Sequence, residues 1–154
     1  MEIADIVTKG AVIPGLKVTS KKQLLQELAA RAAQEYGLAP RRVIEGLMAR
    51  EQLGATAMGD GVAIPHARVP GLTSIVGVFA RLERPVAFDA ADGQPVDLVF
   101  MLLAPEESGA DHLRALARVS RLLRNAATRE KLRATVKGPA LHALVTEPAT
   151  SRAA

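Results

Sequence analysis

The chain has 154 residues, 49% of them hydrophobic, with a formal net charge of +4 and no cysteine. That length and apolar content suffice for one hydrophobic core without covalent staples, and the missing cysteine excludes disulfides, thiolate nucleophiles and cysteine-ligated zinc or iron–sulfur centres. No apolar run approaches the roughly 18 residues of a membrane span, and aromatic residues, at 3%, are too few to supply the stacking platforms of single-strand and RNA binders.

The first seven residues, Met1–Val7, mix acids with apolar side chains and carry no basic lead or cleavage-like stretch, so no export signal is expected and a cytoplasmic location is. Ser20-Lys-Lys-Gln23 reads as a capping box, after which Leu24, Leu25, Leu28, Ala29 and Ala32 recur at helical spacing up to Gly37. A second helix is expected after Pro40, burying Val43, Ile44, Leu47 and Met48, ending before Gly54 and carrying Arg50 and Glu51 on its last turn. From Gly54 the chain runs through a glycine-rich loop into a short apolar strand, Val62-Ala63-Ile64, that Pro65 stiffens and His66 ends.

Residues 74–82 read as a strand, Val86–Phe88 as a shorter one, and Asp92-Gly93 as the turn before the next. Val96–Leu103 is apolar nearly throughout, the pattern of a strand covered by helices on both faces. Past a Pro105–Gly109 loop, a helix over 111–124 should bury Leu113, Leu116, Val119, Leu122 and Leu123 with its arginines outward. Thr128 is expected to cap a short helix through Ala134, and Pro139 to open a last one with Leu141, Leu144 and Val145 inward. The alternation predicts one α/β domain over 1–147, a three-layer α/β/α sandwich with a mixed, mostly parallel sheet of about five strands, and a flexible tail over 148–154.

The three histidines differ in setting: His66 at a glycine-flanked strand end, His112 at a helix start, His142 inside the last helix next to buried Leu141. An imidazole at a strand end can serve as nucleophile, base or metal ligand, and one at a helix N-terminus stays neutral and can meet an anion. No phosphate-loop, dinucleotide, zinc-protease or serine-hydrolase motif is present, and no local spacing makes a metal motif. Asp60 and Asp92 lie in glycine turns, where a side chain capping its own turn is the simpler reading. Arginines and lysines crowd the C-terminal third, from Arg114 to Lys137, which suits solvation or an acidic protein partner better than nucleic acid.

Arg50-Glu-Gln-Leu-Gly-Ala-Thr-Ala-Met-Gly-Asp-Gly-Val-Ala-Ile-Pro-His66 resembles the active-site stretch of the fructose/mannitol-type IIA domains of the bacterial phosphoenolpyruvate-dependent phosphotransferase system. Arg84-Pro-Val-Ala-Phe-Asp-Ala-Ala-Asp-Gly-Gln-Pro-Val-Asp-Leu-Val-Phe100 and His112-Leu113 before a leucine-rich helix continue the resemblance in order and spacing. It spans about 16–145 and is closest to the stand-alone nitrogen-regulatory branch, IIA-Ntr. The resemblance implies a phosphohistidine carrier, a phosphotransferase component that is regulatory rather than metabolic. It implies His66 as phosphoacceptor, His112 as hydrogen-bond donor to the phosphoryl group, and Arg50 as charge stabiliser. Thr56, Gly59, Asp60 and Gly61 would form the phosphate loop. It implies no cofactor and no metal, an HPr-like phosphocarrier of the nitrogen-type system (NPr) as donor, and targets such as sensor kinases or ion transporters, without nucleic acid or membrane insertion. Ala67 stands where many members have glycine, Arg68 where lysine is common, and Asp60 where asparagine is frequent. The alternatives are a sugar-transport IIA that passes the phosphoryl group to a separate IIB and a non-catalytic interaction domain on the same fold.

Overall fold

Two short 3-10 turns, Ile3–Asp5 and Lys9–Ala11, lead into strand β1 (Val12–Leu16), followed by helices α1 (Lys21–Tyr36) and α2 (Pro40–Gln52). Three short strands follow, β2 (Ala57–Gly59), β3 (Val62–Ala63) and β4 (His66–Arg68), then the long strands β5 (Val76–Val86) and β6 (Val96–Ala104). Helices α3 (Ala110–Arg124), α4 (Ala126–Ala134) and α5 (Gly138–Val145) complete the chain. Residues 1–148 are described in this computed structural model; the expected tail lies outside them except for Pro148.

The sheet order is β1-β5-β6-β3-β2, with β4 also on β6. β3 pairs with Leu98 and Val99, and β4 with Leu102 to Ala104. The two therefore share one edge of β6, end to end, and form a single strand position interrupted at Ile64-Pro65. Six strands thus occupy five positions, as the sequence predicts. β1 runs parallel to β5, and β3 and β4 parallel to β6, whereas β5 is antiparallel to β6 and β2 to β3.

Helices α1 and α2 pack on each other and against β5 and β4, while α3, α4 and α5 pack in succession over β6 and β1. Every residue of β6 except Asp97 is consequently buried, the outcome for a strand covered on both faces. The Ser20 hydroxyl accepts the Gln23 N–H at 3.1 Å and Gly37 closes α1 in the left-handed region, as the capping signals predict. Gly46 lets α2 approach β4 closely, since a Cβ there would sit 3.0 Å from that of Ala67.

Several details differ from the sequence reading: β2 and β4 were not expected, and His66, read as the end of a strand, begins β4 instead. β1 was not expected, because Pro14 and Gly15 break a strand pattern; as an edge strand it tolerates both. Val86 ends β5 rather than starting a separate strand. Asn125, not Thr128, caps α4, its side chain accepting the Thr128 N–H at 3.0 Å. On α3 the buried face carries His112, Ala115, Val119, Leu122 and Leu123, leaving Leu113 69% exposed.

Gly77 in β5 is tightly enclosed by the core: an added Cβ would fall 2.7 Å from Phe100 Cε1 and 3.2 Å from Val7 Cγ2. Phe100 is fully buried and has nowhere to move. Gly77→Ala is therefore expected to lower unfolding stability by about 1–3 kcal/mol, read from the midpoint of urea denaturation.

Candidate functional site

The approach of α2 to β4 through Gly46 decides where Arg50 goes. Arg50 lies one turn further along the same face, and its guanidinium arrives beside the first residue of β4, His66. Its Nε–H donates to His66 Nε2 at 3.2 Å, while its Nη1–H donates to the Gly54 carbonyl at 2.9 Å. On the other side of the ring, His66 Nδ1 lies 2.8 Å from the Ile64 carbonyl oxygen. A carbonyl only accepts and a guanidinium only donates, so the two contacts select the same tautomer: proton on Nδ1, lone pair on Nε2.

His112 comes to this point from the first turn of α3. Its ring stands edge-on to that of His66, at 85° and a centroid distance of 5.6 Å. The residue is only 7% exposed, and its Nε2 is buried with no hydrogen-bond partner. Burial pushes the His66 imidazole below the ordinary 6.5; the Ile64 carbonyl and Glu51 work against this, and the Arg50 charge adds to it. Burial likewise lowers His112, helped by His66 and Arg68. Two neutral imidazoles, one with a directed lone pair and one with a nitrogen in want of a partner, thus face each other beside a guanidinium. Such a set can form a bond to an electrophile and hold the negative charge that arrives with it.

The structure brings Arg50, His66 and His112 together, but it does not bring the expected phosphate loop to them. Thr56 is close, since its carbonyl accepts the Ile64 N–H at 3.0 Å. Its own N–H and hydroxyl, however, both donate to the Glu51 carboxylate, leaving neither for a phosphate. Gly59, Asp60 and Gly61 form the far turn of the β2–β3 hairpin. The Gly61 carbonyl accepts from Asp97 and Leu98 N–H, whereas His66 pairs with Leu102, a separation of four strand residues or about 13 Å. Asp60 is stapled there, its N–H to Asp92 at 3.0 Å and its carbonyl to Arg133, which also grips Asp97 at 2.9–3.1 Å. The Asp60 side chain points to Arg129, at 3.8 Å. The correction is physical: residues adjacent in sequence to a strand end lie at the strand's opposite end.

Glu51 was placed on the last turn of α2 without a role, and its partner Lys21 was not singled out. Glu51, its side chain 6% exposed, pairs with Lys21 at 2.9 Å, and Lys21 lies 4.4 Å above the Phe88 ring and 3.5 Å from Asp89. A lysine thirty residues away gives no local signal. Leu53, 84% exposed, and Leu113, 69% exposed, follow Arg50 and His112 on their respective elements and leave apolar surface beside the site. His142 bonds the Val7 carbonyl at 3.0 Å, away from this cluster. Among the described residues no group of three or more His, Cys, Asp or Glu could hold a metal ion.

Residues 5–147 match the family model described as the phosphoenolpyruvate-dependent sugar phosphotransferase system, EIIA 2. A protein of Bradyrhizobium diazoefficiens described as a nitrogen regulatory protein is 55% identical over 99% of this chain and 100% of its own. The crystal structure of the nitrogen regulatory protein IIA-Ntr from Neisseria meningitidis superposes with a TM-score of 0.88 at 38% identity, covering 94% of this chain and 99% of that one. The mannitol IIA of Escherichia coli shares the fold, with a TM-score of 0.75 at 19% identity over 90% of this chain and 97% of its own.

The two histidines also set a pH dependence of folding. Both are lowered from 6.5 in the folded chain, so as pH falls the unfolded chain binds the additional protons first. Their contribution to stability is full above about pH 6.5 and is lost as the pH drops through the lowered values. Denaturant unfolding at about pH 7.5 and about pH 5.5 should show stability falling with acid, and a His66→Gln, His112→Gln chain should show a shallower fall.

Proposed function

The chain belongs to the EIIA 2 family of the phosphoenolpyruvate-dependent sugar phosphotransferase system, and from that membership we propose that it carries a phosphoryl group on His66 Nε2. The observation that supports this reading is the tautomer. Nδ1–H is tied to Ile64, so the lone pair sits on Nε2, facing the Arg50 guanidinium, with the ring of His112, whose Nε2 is buried without a partner, edge-on beside it.

In the proposed reaction, Nε2 attacks the phosphorus of a donor phosphoimidazole in line. The donor's P–N bond breaks and its electron pair returns to the donor ring. Arg50 gives up its bond to Nε2 and moves to a phosphoryl oxygen, staying anchored on Gly54 through Nη1. His112 Nε2–H donates to a second oxygen from the first turn of α3, where the helix dipole also favours an anion. The Ile64 carbonyl keeps the proton on Nδ1, leaving the phosphorylated ring cationic and therefore a good leaving group for onward transfer. Transfer between two imidazoles needs orientation and charge stabilisation more than covalent help.

Residues 1–147 act as one IIA domain in this reading, the donor is an HPr-like phosphocarrier, NPr, and Leu53 and Leu113 give it apolar surface beside the site. The regulatory role is favoured over a sugar-transport role because relatives at 55% and 38% identity are both described as nitrogen regulatory proteins. Regulated proteins, such as sensor kinases or ion transporters, would read the added charge of about −1.5 to −2. A IIA that passes its phosphoryl group to a separate IIB is the second reading. The intact constellation around His66 speaks against a domain that has lost its chemistry. The exchange belongs in the cytoplasm on this reading; no helix of the described residues is long and apolar enough to cross a membrane.

Incubation with the phosphorylated donor and intact mass should show one acid-labile phosphoryl group on the chain and none on His66→Ala. Full labelling of that variant would overturn the assignment. His112→Ala and Arg50→Ala should each fold and slow transfer by about 10- to 100-fold, the loss of one charge-assisted hydrogen bond.

A further inference from the structure

The last turn of α2 presents two consecutive side chains, and the hydrogen bonds lead from them to the two nitrogens of the same ring. Arg50 reaches Nε2 directly. Glu51 reaches Nδ1 through the backbone: its carboxylate takes the N–H and hydroxyl of Thr56, the Thr56 carbonyl takes the Ile64 N–H at 3.0 Å, and the Ile64 carbonyl takes His66 Nδ1–H at 2.8 Å. Lys21, 2.9 Å from Glu51 and over Phe88, keeps that carboxylate paired where it is removed from water.

We propose that Glu51, held by Lys21, is a positioning residue for phosphoryl transfer: through Thr56 and Ile64 it fixes the His66 tautomer that leaves the lone pair on Nε2. The inference rests on the phosphocarrier reading for its consequence, and the tautomer itself can be read without any transfer. The carboxylate is suited to this task because it accepts from two Thr56 donors at once, through the N–H on one side of that residue and through its side chain, and so holds in place the residue whose carbonyl, in the next peptide, meets Ile64. A neutral side chain without the Lys21 charge pair holds Thr56 more loosely. The Ile64 carbonyl is then held less firmly, and Arg50 alone is left to oppose a proton on Nε2, where it blocks attack. Holding α1, α2 and the loop together would be a purely structural role, and it leaves the tautomer unaffected.

The test uses the full chain with Glu51→Gln, alongside Thr56→Val and Thr56→Ser. Two-bond nitrogen NMR of the His66 ring at about pH 8, where it is neutral, reads the tautomer, and phosphorus NMR after exposure to the phosphorylated donor reads rate and position. The unaltered chain should show the Nδ1–H form and phosphate on Nε2. Glu51→Gln should shift the tautomer ratio by up to about tenfold toward Nε2–H, the worth of the neutral hydrogen bond between Ile64 and the ring, and slow phosphorylation by the share of rings that leave the Nδ1–H form. Thr56→Val, which removes one donor to the carboxylate, should shift the ratio in the same direction, and Thr56→Ser should match the unaltered chain. If Glu51→Gln does not fold, Thr56→Val against Thr56→Ser decides. A folded Glu51→Gln, or in its absence Thr56→Val, with unchanged tautomer ratio and rate overturns the inference, whatever its melting temperature. An unaltered chain that takes no phosphate on His66 overturns the phosphocarrier reading instead, while the tautomer spectra still decide the role of Glu51.

Discussion

A single carbonyl, that of Ile64, governs how the ring of His66 presents itself. It is available because ladder pairing along this edge of β6 lapses at Ile64-Pro65, between β3 and β4, so the Ile64 carbonyl is not committed to the sheet. The peptide before Pro65 therefore turns its oxygen to the histidine two residues on. The remaining architecture brings partners to that ring. The close packing at Gly46 carries Arg50 to one nitrogen, and the first turn of α3 carries a second imidazole to its edge.

Much of this arrangement was legible in the sequence. The Ser20 cap, the apolar spacing of α1 and α2, and the unbroken run of β6 each reflect a local rule, and the structure follows them. The joining of His66, His112 and Arg50 was legible through the resemblance, because that pattern is carried by residues in order along the chain. What stayed hidden depended on distance. Sequence proximity placed Gly59, Asp60 and Gly61 near His66, but an extended chain carries neighbours away at about 3.3 Å per residue, whereas a lysine in α1 becomes a neighbour of the site. On α3 the apolar pattern favoured Leu113 as a core residue, yet the buried position belongs to His112, whose ring faces His66.

Charge follows the same logic. The arginine-rich C-terminal third looked short of acids because its partners come from elsewhere in the chain. Arg133 binds Asp97 of β6, Arg129 approaches Asp60 of the β2–β3 turn, and Arg118 pairs with Glu2. Arg129 also donates to the Leu123 and Arg124 carbonyls that end α3, where a cation suits the helix dipole. Part of the basic excess therefore ties the helical layer to the sheet rather than facing a partner.

On the proposed phosphocarrier reading, the contact between Arg50 and Nε2 has a kinetic meaning. At rest the reactive pair of electrons is capped by a guanidinium donor, so a stray electrophile meets a sheathed nucleophile. A dianionic phosphoryl group is the kind of visitor that draws that guanidinium off, because it offers the same donor a stronger acceptor. Because Arg50 remains moored to Gly54 while its Nε changes partners, uncovering the nitrogen and greeting the incoming charge become one movement. The visitor in effect carries its own key.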